Sequence, residues 1–183
     1  MRGSSAGARI HRAPGERVAL TLLFDTLITP VGTLSLEADQ TGLTAIRFPG
    51  RAQQTPKSSV THALLAEAKR ELQAYFEGRL TAFSVPLNWR GTSFQDTVWR
   101  ALMDIPYGET VSYGDIAKSI GRPKSARPVG GAVGRNPLPI MVPCHRVIGS
   151  DRSLTGFTGG IDIKVALLEQ EGLHLHSPAV APQ

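Results

Sequence analysis

Cys144, the only cysteine in the chain, stands directly before a histidine in the pentapeptide Pro143-Cys144-His145-Arg146-Val147. A cysteine reacts as its thiolate, and a neighbouring base or positive charge raises the thiolate fraction. His145 and Arg146 therefore make Cys144 a candidate nucleophile. The alternative is a small core residue, the commonest fate of a free cysteine, since apolar residues flank the pentapeptide. These five residues alone favour the core interpretation, and the segment around them favours the nucleophile.

The segment 118–146, which leads into the thiol, is basic and has no acidic residue, whereas acidic and basic residues interleave elsewhere. A patch of one sign indicates a polyanionic partner such as nucleic acid. A solvated basic face is the alternative. The basic residues are Lys118, Arg122, Lys124, Arg127, Arg135 and Arg146.

Three helices are predicted in and before this basic segment. Ser93 can cap the first, which ends before Pro106. Ser112 can cap the second, with an acidic residue three positions on, and Gly121 ends it. Ser125 opens the third, so two short helices joined by a tight turn form a helix-turn-helix pattern.

Gly130, Gly131 and Gly134 lie in the third of these helices, where each glycine costs roughly 1 kcal/mol of helix stability relative to alanine. Some interaction must offset that cost. Small side chains let the helix backbone come close to another surface, which is either a packed neighbour or a narrow groove of DNA.

The first half of the chain has no catalytic constellation and is predicted to form a small domain. Apolar alternation between turn residues favours an antiparallel meander, followed by a helix that ends at Gly78. Beyond the thiol, Asp162 can cap a last helix that reaches Glu171. The predicted strands cover 18–25, 32–39 and 43–48, a loop covers 51–59, the helix begins at 60, and apolar residues alternate again over 83–87.

Composition limits the possible classes of protein. The 183 residues, 41% of them hydrophobic, suffice for one good core or two small ones. No apolar run can span a bilayer and no secretory signal is evident, so no membrane partner and a cytoplasmic location are expected. A single cysteine excludes an intramolecular disulfide, which suits a reducing compartment. His174 and His176 have no third ligand nearby, so no metal site is predicted.

The second half of the chain resembles the O6-alkylguanine-DNA alkyltransferases, also called methylated-DNA–protein-cysteine methyltransferases. The resemblance runs almost continuously from 93 to 172, and the first half matches more weakly, for example through Tyr75-Phe76-Glu77-Gly78. The motifs that carry it are Phe94-Gln95, Ile105-Pro106-Tyr107-Gly108, Ser112-Tyr113, Ala126-Arg127, Val129-Gly130, Asn136-Pro137, the run 140–148 and Gly159-Gly160.

The resemblance implies an α+β fold, with a small N-terminal α/β (ribonuclease H-like) domain of antiparallel strands and a C-terminal winged helix-turn-helix domain that carries the reactive cysteine. It implies a single-use DNA repair protein that takes the alkyl group from O6-methylguanine, and from O4-methylthymine, in double-stranded DNA. A monomer without a cofactor is expected. The predicted limits are 18–90 and 91–173 for the domains, with disordered tails, the first of them basic, at 1–17 and 174–183.

The family's functional residues carry over to matching positions. Cys144 resembles the alkyl acceptor, His145 its base acting through a water, and Glu171 the carboxylate that orients the histidine. Asn136 resembles the asparagine that fixes the turn between recognition helix and active-site strand. Tyr113 resembles the tyrosine that bonds the flipped base and protonates the leaving guanine. From the residues alone, Tyr113 also fits a core tyrosine, Asn136 a turn residue and Glu171 a solvated helix-end charge.

Arg127 resembles the arginine finger that fills the stack vacated by the flipped base, with its helix in the minor groove. The resemblance also implies that the backbone carbonyls of Cys144 and Val147 and the amide of Thr158 hold the edge of the guanine. The other residues implied to contact DNA or substrate are Ser125, Ala126, Gly130, Gly131, Arg135 and Phe157.

Two positions depart from the family pattern. Pro128 follows the finger where a non-proline apolar residue is usual, and it removes an N–H that Ser125 could cap. Phe157 stands where a tyrosine is common. The family's N-terminal zinc site, found in some members, has no ligands here. Two other classes stay open: a winged-helix regulator with Cys144 in its core, and a cysteine hydrolase, for which loop glycines are the only candidate oxyanion element.

Overall fold

Alternating apolar residues in the first half form an antiparallel meander, as predicted. In the structure, a computed structural model that describes residues 22–50 and 62–174, the strands are β1 (Leu23–Thr29), β2 (Gly32–Ala38) and β3 (Leu43–Arg47), in that order across the sheet. One face of β2 buries Leu34, Leu36 and Ala38. The expected strand start at 18–21, loop at 51–59 and helix start at 60 lie outside the described residues.

Helix α1 (Ala63–Phe76) packs on this sheet and buries Leu65, Ala68, Leu72 and Tyr75. It ends before Gly78, whose φ of +70° lies in the left-handed region that glycine adopts without strain. The alternation over 83–87 gives a single parallel bridge, from Leu87 to Leu43, and no regular strand.

Helix α2 (Ser93–Met103) is capped by Thr92 and not, as predicted, by Ser93. The Thr92 hydroxyl accepts from the N–H of Gln95, and the Gln95 side chain accepts from the N–H of Thr92. Thr92 takes the cap position because Gln95 stands three residues after it, the spacing of a capping box. Its apolar face buries Val98, Trp99 and Leu102.

The predicted helix-turn-helix consists of α3 (Tyr113–Ser119) and α4 (Ala126–Val133). Ser112 and Asp115 form the expected capping box of α3. Gly121, with φ of +72°, ends that helix and turns the chain towards α4. Ser125 is the N-cap of α4 but its hydroxyl makes no capping bond, as expected from Pro128, which has no N–H to offer.

Cys144 lies in a single 3-10 turn (Cys144–Arg146) and not in the strand that was expected. The strand begins just after it, where β5 (Val147–Ile148) pairs in parallel with β4 (Val111–Ser112). The last helix is α5 (Ile161–Gln170), whose N-cap is Gly160 and not Asp162. Glu171 is the C-cap of α5, one residue beyond the helix.

One contiguous hydrophobic core joins both halves of the chain. It extends from Leu27 in β1 through Trp99 in α2 to Val147 and Leu167. The α+β class is confirmed: antiparallel strands in the first half and a mainly helical second half. Within residues 22–50 and 62–174, no helix has the length and apolar character needed to cross a bilayer. The expected tail at 1–17, and the expected tail at 174–183 apart from its first residue, lie outside the described residues.

Candidate active site

The thiol of Cys144 is buried, with 3% of the residue exposed, at the end of a turn fixed by Asn136. The Asn136 amide donates to the carbonyl of Val142 at 2.7 Å, and its oxygen accepts from the N–H of Leu138 at 3.0 Å. Between them, Ile140 has a φ of +77°, a strained conformation for a β-branched residue. The two bonds of Asn136 hold that strained turn and so place the thiol.

The pKa of the Cys144 thiol is raised to about 11, because burial penalises the thiolate. Hydrogen bonding from Asn136, the charge of Lys164 and the backbone N–H groups of Cys144 and His145 oppose that rise. Only about one molecule in ten thousand carries the thiolate at pH 7 with such a pKa. The expectation that Arg146 activates the thiol is wrong, since the nearby positive charge is that of Lys164.

His145 follows the thiol and is fully buried with Glu171. Its Nε2 lies 2.8 Å from Oε1 of Glu171, and neither side chain is exposed. Its other nitrogen, Nδ1, is the one buried side-chain polar atom of the described residues that has no hydrogen-bond partner. Burial lowers the pKa of His145, against the opposing effect of Glu171. The imidazole is therefore neutral at physiological pH and oriented, with one nitrogen free to accept a proton.

Glu171 accepts hydrogen bonds at both carboxylate oxygens. Arg146 donates to Oε2 through Nε at 2.8 Å and to Oε1 through Nη2 at 2.9 Å, and the Gly108 amide donates to Oε2 at 3.1 Å. The Tyr75 hydroxyl donates to Oε1 at 2.9 Å. Burial alone would raise the pKa of Glu171, but bonds from His145, Arg146 and Gly108 lower it to about 2. Glu171 is thus a buried, ionised carboxylate and not a solvated helix-end charge.

Arg146 must be removed from the predicted basic surface. Only 5% of it is exposed, and besides its two bonds to Glu171 it donates to the carbonyl of Ile105 at 2.6 Å. A run of basic residues in the sequence gives the sign of their charge, but it does not show which of the side chains are exposed and which are buried. The five other basic side chains of the segment, Lys118, Arg122, Lys124, Arg127 and Arg135, are exposed.

Lys164 is a residue of the site that sequence reasoning missed. It is fully buried on α5, where its ammonium donates to the carbonyl of Val147 at 2.6 Å and to that of Thr155 at 3.1 Å. Burial lowers its pKa to about 8, and proximity to Cys144 acts in the opposite direction. A signal was present in the sequence, because Lys164 stands three and four residues before Leu167 and Leu168, on the apolar face.

Tyr113 opens α3 and reaches the glycine-rich loop, which covers residues 155–160. Its hydroxyl donates to the carbonyl of Thr155 at 3.1 Å. Burial, with a smaller contribution from Cys144, raises the pKa of Tyr113, so the phenol is protonated at neutral pH. Thr158, further along the loop, donates to the carbonyl of Gly134 at 2.8 Å and so ties the loop to the end of α4.

The two carbonyls predicted to bind guanine each have one partner already. The N–H of Val147 donates to the carbonyl of Cys144, and Lys164 donates to the carbonyl of Val147. A carbonyl oxygen has two lone pairs, so each keeps acceptor capacity for a ligand. Lys164 and the 3-10 turn therefore fix the direction of both carbonyls.

Arg127 is exposed at the rim of a cleft of about 560 Å³ beside α4. A Cβ on Gly130 would meet the Tyr113 ring at 3.7 Å, an ordinary contact, so packing does not require glycine there. In the part of the chain that the structure describes, a Cβ on Gly131 would meet just the exposed side chain of Arg135, at 3.3 Å. Internal packing therefore does not explain these two glycines. Their positions favour the other explanation, that α4 comes close to the surface of another molecule. The cleft is lined by Tyr113, Gly114, Ala126, Arg127, Gly130, Gly149, Ser150 and Asp151.

Phe157, the departure in the glycine-rich loop, packs against Phe48, which follows β3. Their ring centroids lie 5.5 Å apart at an interplanar angle of 57°. A Cβ on Gly159 would lie 2.7 Å from the Phe48 ring, so the loop comes close to the first half of the chain. Phe157 thus anchors the loop through an aromatic contact and offers no hydroxyl to the cleft.

The structure brings a buried thiol and an oriented imidazole together in one turn, while the protonated phenol of Tyr113 and the exposed Arg127 line the cleft. These groups can bind a polyanion, take a proton from sulfur and give a proton to a leaving group. Within residues 22–50 and 62–174, no cluster of three or more His, Cys, Asp or Glu could hold a metal ion.

Comparison with known proteins gives matches over most of the chain. The DNA binding domain profile of 6-O-methylguanine DNA methyltransferase matches residues 93–173, and the ribonuclease-like domain profile of the same family matches residues 22–89. The chain is 50% identical over 147 residues to the methylated-DNA–protein-cysteine methyltransferase of Methanosarcina acetivorans, covering 79% of this chain and 94% of that protein. The crystal structure of Mycobacterium tuberculosis OGT in complex with DNA is similar with a TM-score of 0.75 and 49% identity, covering 81% of this chain and 91% of that one.

Proposed function

The chain belongs to the methylated-DNA–protein-cysteine methyltransferase family, and we propose that it repairs duplex DNA by transferring the methyl group of O6-methylguanine to the sulfur of Cys144. The observation that carries this proposal is the buried His145–Glu171 pair next to the only thiol of the chain. A core cysteine in a regulator needs no such pair. A hydrolase needs an oxyanion hole, for which loop glycines are the only candidate in the sequence.

In the proposed reaction, the proton of Cys144 passes through a water to Nδ1 of His145, the nitrogen that has no hydrogen-bond partner among the described residues. Glu171 holds the opposite nitrogen and stabilises the imidazolium. The S–C bond forms as the C–O6 bond breaks, and the electron pair of that bond stays with guanine. Tyr113 gives guanine a proton and is reprotonated from His145, so the thiol proton replaces the methyl group in the net reaction.

Asn136 and Lys164 prepare the thiolate. Both lower the pKa of Cys144 from the higher value that burial alone would give. The thiol of the free protein is nevertheless mostly protonated at pH 7, so transfer depends on the base once substrate is bound. The carbonyls of Cys144 and Val147 and the amide of Thr158 are proposed to hold the guanine edge.

DNA binding is assigned to α4 and its surroundings. Chemistry at O6 requires the base to leave the stack, and Arg127, exposed at the cleft, is proposed to fill the vacated space. Gly130 and Gly131 let the helix enter the minor groove. Positive charge for the phosphates is available at the exposed basic residues of the segment, and Ser125, Ala126, Arg135 and Phe157 complete the proposed contact set.

The experiment that tests the function is intact mass measurement after mixing the protein with duplex DNA that contains O6-methylguanine. One added methyl group, located at Cys144, is expected. Cys144→Ala should gain none and still bind DNA, because the basic surface supplies the affinity for phosphates. A regulator would gain no mass, and a hydrolase would release product repeatedly without keeping the group.

Each molecule should react once. The product is a thioether, which water does not readily cleave, and the chain has no second cysteine to take the group onward. Titration of excess methylated duplex against a known amount of protein should remove one methyl group per molecule. The added carbon enters a packed site, where overpacking costs about 1–3 kcal/mol, so the melting temperature should fall. More than one methyl removed per molecule would contradict this part of the proposal.

Three finer features are also proposed. The chain divides into domains at 18–90 and 91–173, a division that the two matched family ranges support. It acts as a monomer, since the site is assembled within one chain. It acts in the cytoplasm, where a reducing environment keeps the thiol free.

A further inference from the structure

Tyr75, on α1 of the first half of the chain, contacts the active site of the second half. It is fully buried, and its hydroxyl donates to Oε1 of Glu171 at 2.9 Å across 96 residues of sequence. That oxygen is the one that lies 2.8 Å from Nε2 of His145. The first half of the chain thus supplies a hydrogen bond to the atom that orients the proposed base.

The position of Tyr75 is fixed from several sides. The side-chain amide of Gln170 donates to its backbone carbonyl at 3.1 Å. Its ring packs against Phe76, Phe83 and Tyr107, with centroid distances of 5.3, 5.6 and 6.2 Å. These contacts keep the hydroxyl pointed at Glu171, and burial raises the pKa of Tyr75 well above its ordinary value, so the phenol stays protonated and donates.

We propose that Tyr75 is a positioning residue for alkyl transfer, whose hydroxyl holds the Glu171 carboxylate in line with His145 and shares its negative charge. This inference rests on the proposed function. Tyr75 does not touch the thiol or the base to be repaired. It acts through Glu171 on the proton affinity of His145, and in this way the first half of the chain sets the pH range in which the base works.

The charged and titratable groups around His145 determine the sign of the effect. Glu171 favours its protonated form, whereas Arg146 and Lys164 disfavour it, and Cys144 precedes it in the same turn. At Oε1, Tyr75 and Arg146 compete with His145 for the same negative charge. Loss of the Tyr75 hydroxyl leaves more of that charge to His145, which raises the pKa of the imidazole.

The test is Tyr75→Phe in the full chain, which keeps the ring contacts and removes one hydroxyl. The rate of single-turnover methyl transfer from duplex DNA is measured from pH 5.5 to 8.5. A protonated His145 cannot accept the thiol proton, so the acidic limb of the profile should move to higher pH. Transfer at the low end of the range should slow by about 3- to 10-fold, with a smaller loss at the high end.

Tyr107→Phe is the matched control. Tyr107 belongs to the same aromatic cluster, but its hydroxyl donates to the backbone carbonyl of Gln170 at 2.9 Å and not to Glu171. This variant loses one hydroxyl from the same cluster and should keep the wild-type pH profile. Equal profiles for wild type and Tyr75→Phe, or equal shifts in the two variants, would overturn the positioning role.

A second readout does not depend on activity. Titration of the His145 ring resonances by NMR should show a higher pKa in Tyr75→Phe than in wild type and no change in Tyr107→Phe. Measurements at low temperature with unmethylated duplex bound keep a destabilised variant folded, since a bound ligand stabilises the native state. If the wild type transferred no methyl group, the proposed function would fail while this titration still tested the Tyr75–Glu171–His145 link. An unchanged titration would overturn the link itself.

Discussion

The ammonium of Lys164 lies 2.6 Å from the carbonyl oxygen of Val147, so a buried cation is fixed beside the strand that follows the reactive thiol. A second bond, to the carbonyl of Thr155, ties the same ammonium to the glycine-rich loop. Lys164 therefore joins three parts of the site: the strand, the loop and, through its charge, the thiol. The closeness of this cation to Cys144 leads to the first prediction.

Lys164→Met should reduce the rate of methyl transfer by at least about tenfold, because the thiolate loses its nearest cation. The free energy of unfolding should stay within about 2 kcal/mol of the wild-type value. The variant loses the hydrogen bond to the carbonyl of Val147, but it no longer buries a charge. Single-turnover kinetics and urea unfolding measure the two effects. Arg70→Met, at an exposed arginine of α1 outside the basic segment, is the control and should change neither.

The pH dependence of stability gives a further check on Lys164. Its pKa is lowered to about 8 from 10.5, so the unfolded chain binds more protons than the folded chain between these values. The buried charge of Lys164 therefore destabilises the fold below pH 8. This destabilisation decreases as the pH rises from 8 to 10.5, because the ammonium then loses its proton in the folded chain. The pKa of Cys144 is raised from 9.0 to about 11, so the thiol has the opposite effect and lowers the stability of the fold as the pH rises above 9. From pH 8 to 9, wild type should gain stability relative to Lys164→Met.

The Cys144 thiol should react slowly with small electrophiles in the free, folded protein. With a pKa of about 11 against 9.0 for an ordinary thiol, its thiolate fraction at pH 7.5 is lower by about 100-fold. Intact mass after timed exposure to iodoacetamide measures the rate, and the single cysteine makes the adduct unambiguous. The chain unfolded in urea is the reference. Equal rates in the two states would contradict the burial described for the thiol.

Glu171 should make the protein sensitive to acid. Its pKa is lowered from 4.5 to about 2, so it stabilises the fold above pH 4.5 and this contribution is lost as the pH falls to 2. The loss amounts to about 3 kcal/mol. Glu171→Gln should lower stability at pH 7 by about 3–5 kcal/mol, because Arg146 stays buried without a counterion. Urea unfolding against pH measures both, and Glu109→Gln, at an exposed site, should match wild type within about 0.5 kcal/mol.

Arg127→Ala should slow repair of duplex DNA by about 100-fold relative to reaction with free O6-benzylguanine, since only the duplex requires unstacking at a cost of a few kcal/mol. Arg135→Ala is the matched control, because this exposed arginine follows the same helix and its side chain bonds the carbonyl of Gly131. Both variants remove one charge and should reduce the salt dependence of binding alike. At saturating duplex, where a difference in affinity does not limit the rate, only Arg127→Ala should change the ratio of the two rates. Equal losses on duplex and free base would remove the finger role.

The sequence predicted the elements better than the contacts between them. The meander and the helix-turn-helix follow from local periodicity and caps, which do not depend on distant residues. The strand expected at Cys144 is instead a 3-10 turn, because the bonds of Asn136 impose the geometry of the preceding turn. Neighbouring sequence does not show such a bond in advance.

The charged residues of the site show where sequence reasoning fails. Lys164 and Arg146 look like surface residues by type, and each is buried because a distant acceptor satisfies it: a backbone carbonyl for Lys164 and Glu171 for Arg146. Tyr75 lies on the buried face of α1 with Leu72 and Ala68, as helical spacing of apolar residues would place it. Its hydroxyl partner lies 96 residues away, so periodicity alone could not identify it.

The separation of 26 residues between His145 and Glu171 has a consequence for protein synthesis. A ribosome adds roughly 5–20 residues per second, so the thiol enters the growing chain seconds before the carboxylate that completes the proton acceptor. Tyr75 and the meander have been made long before either. A nascent chain therefore carries the cysteine without its working base, and methyl transfer becomes possible only after α5 has docked.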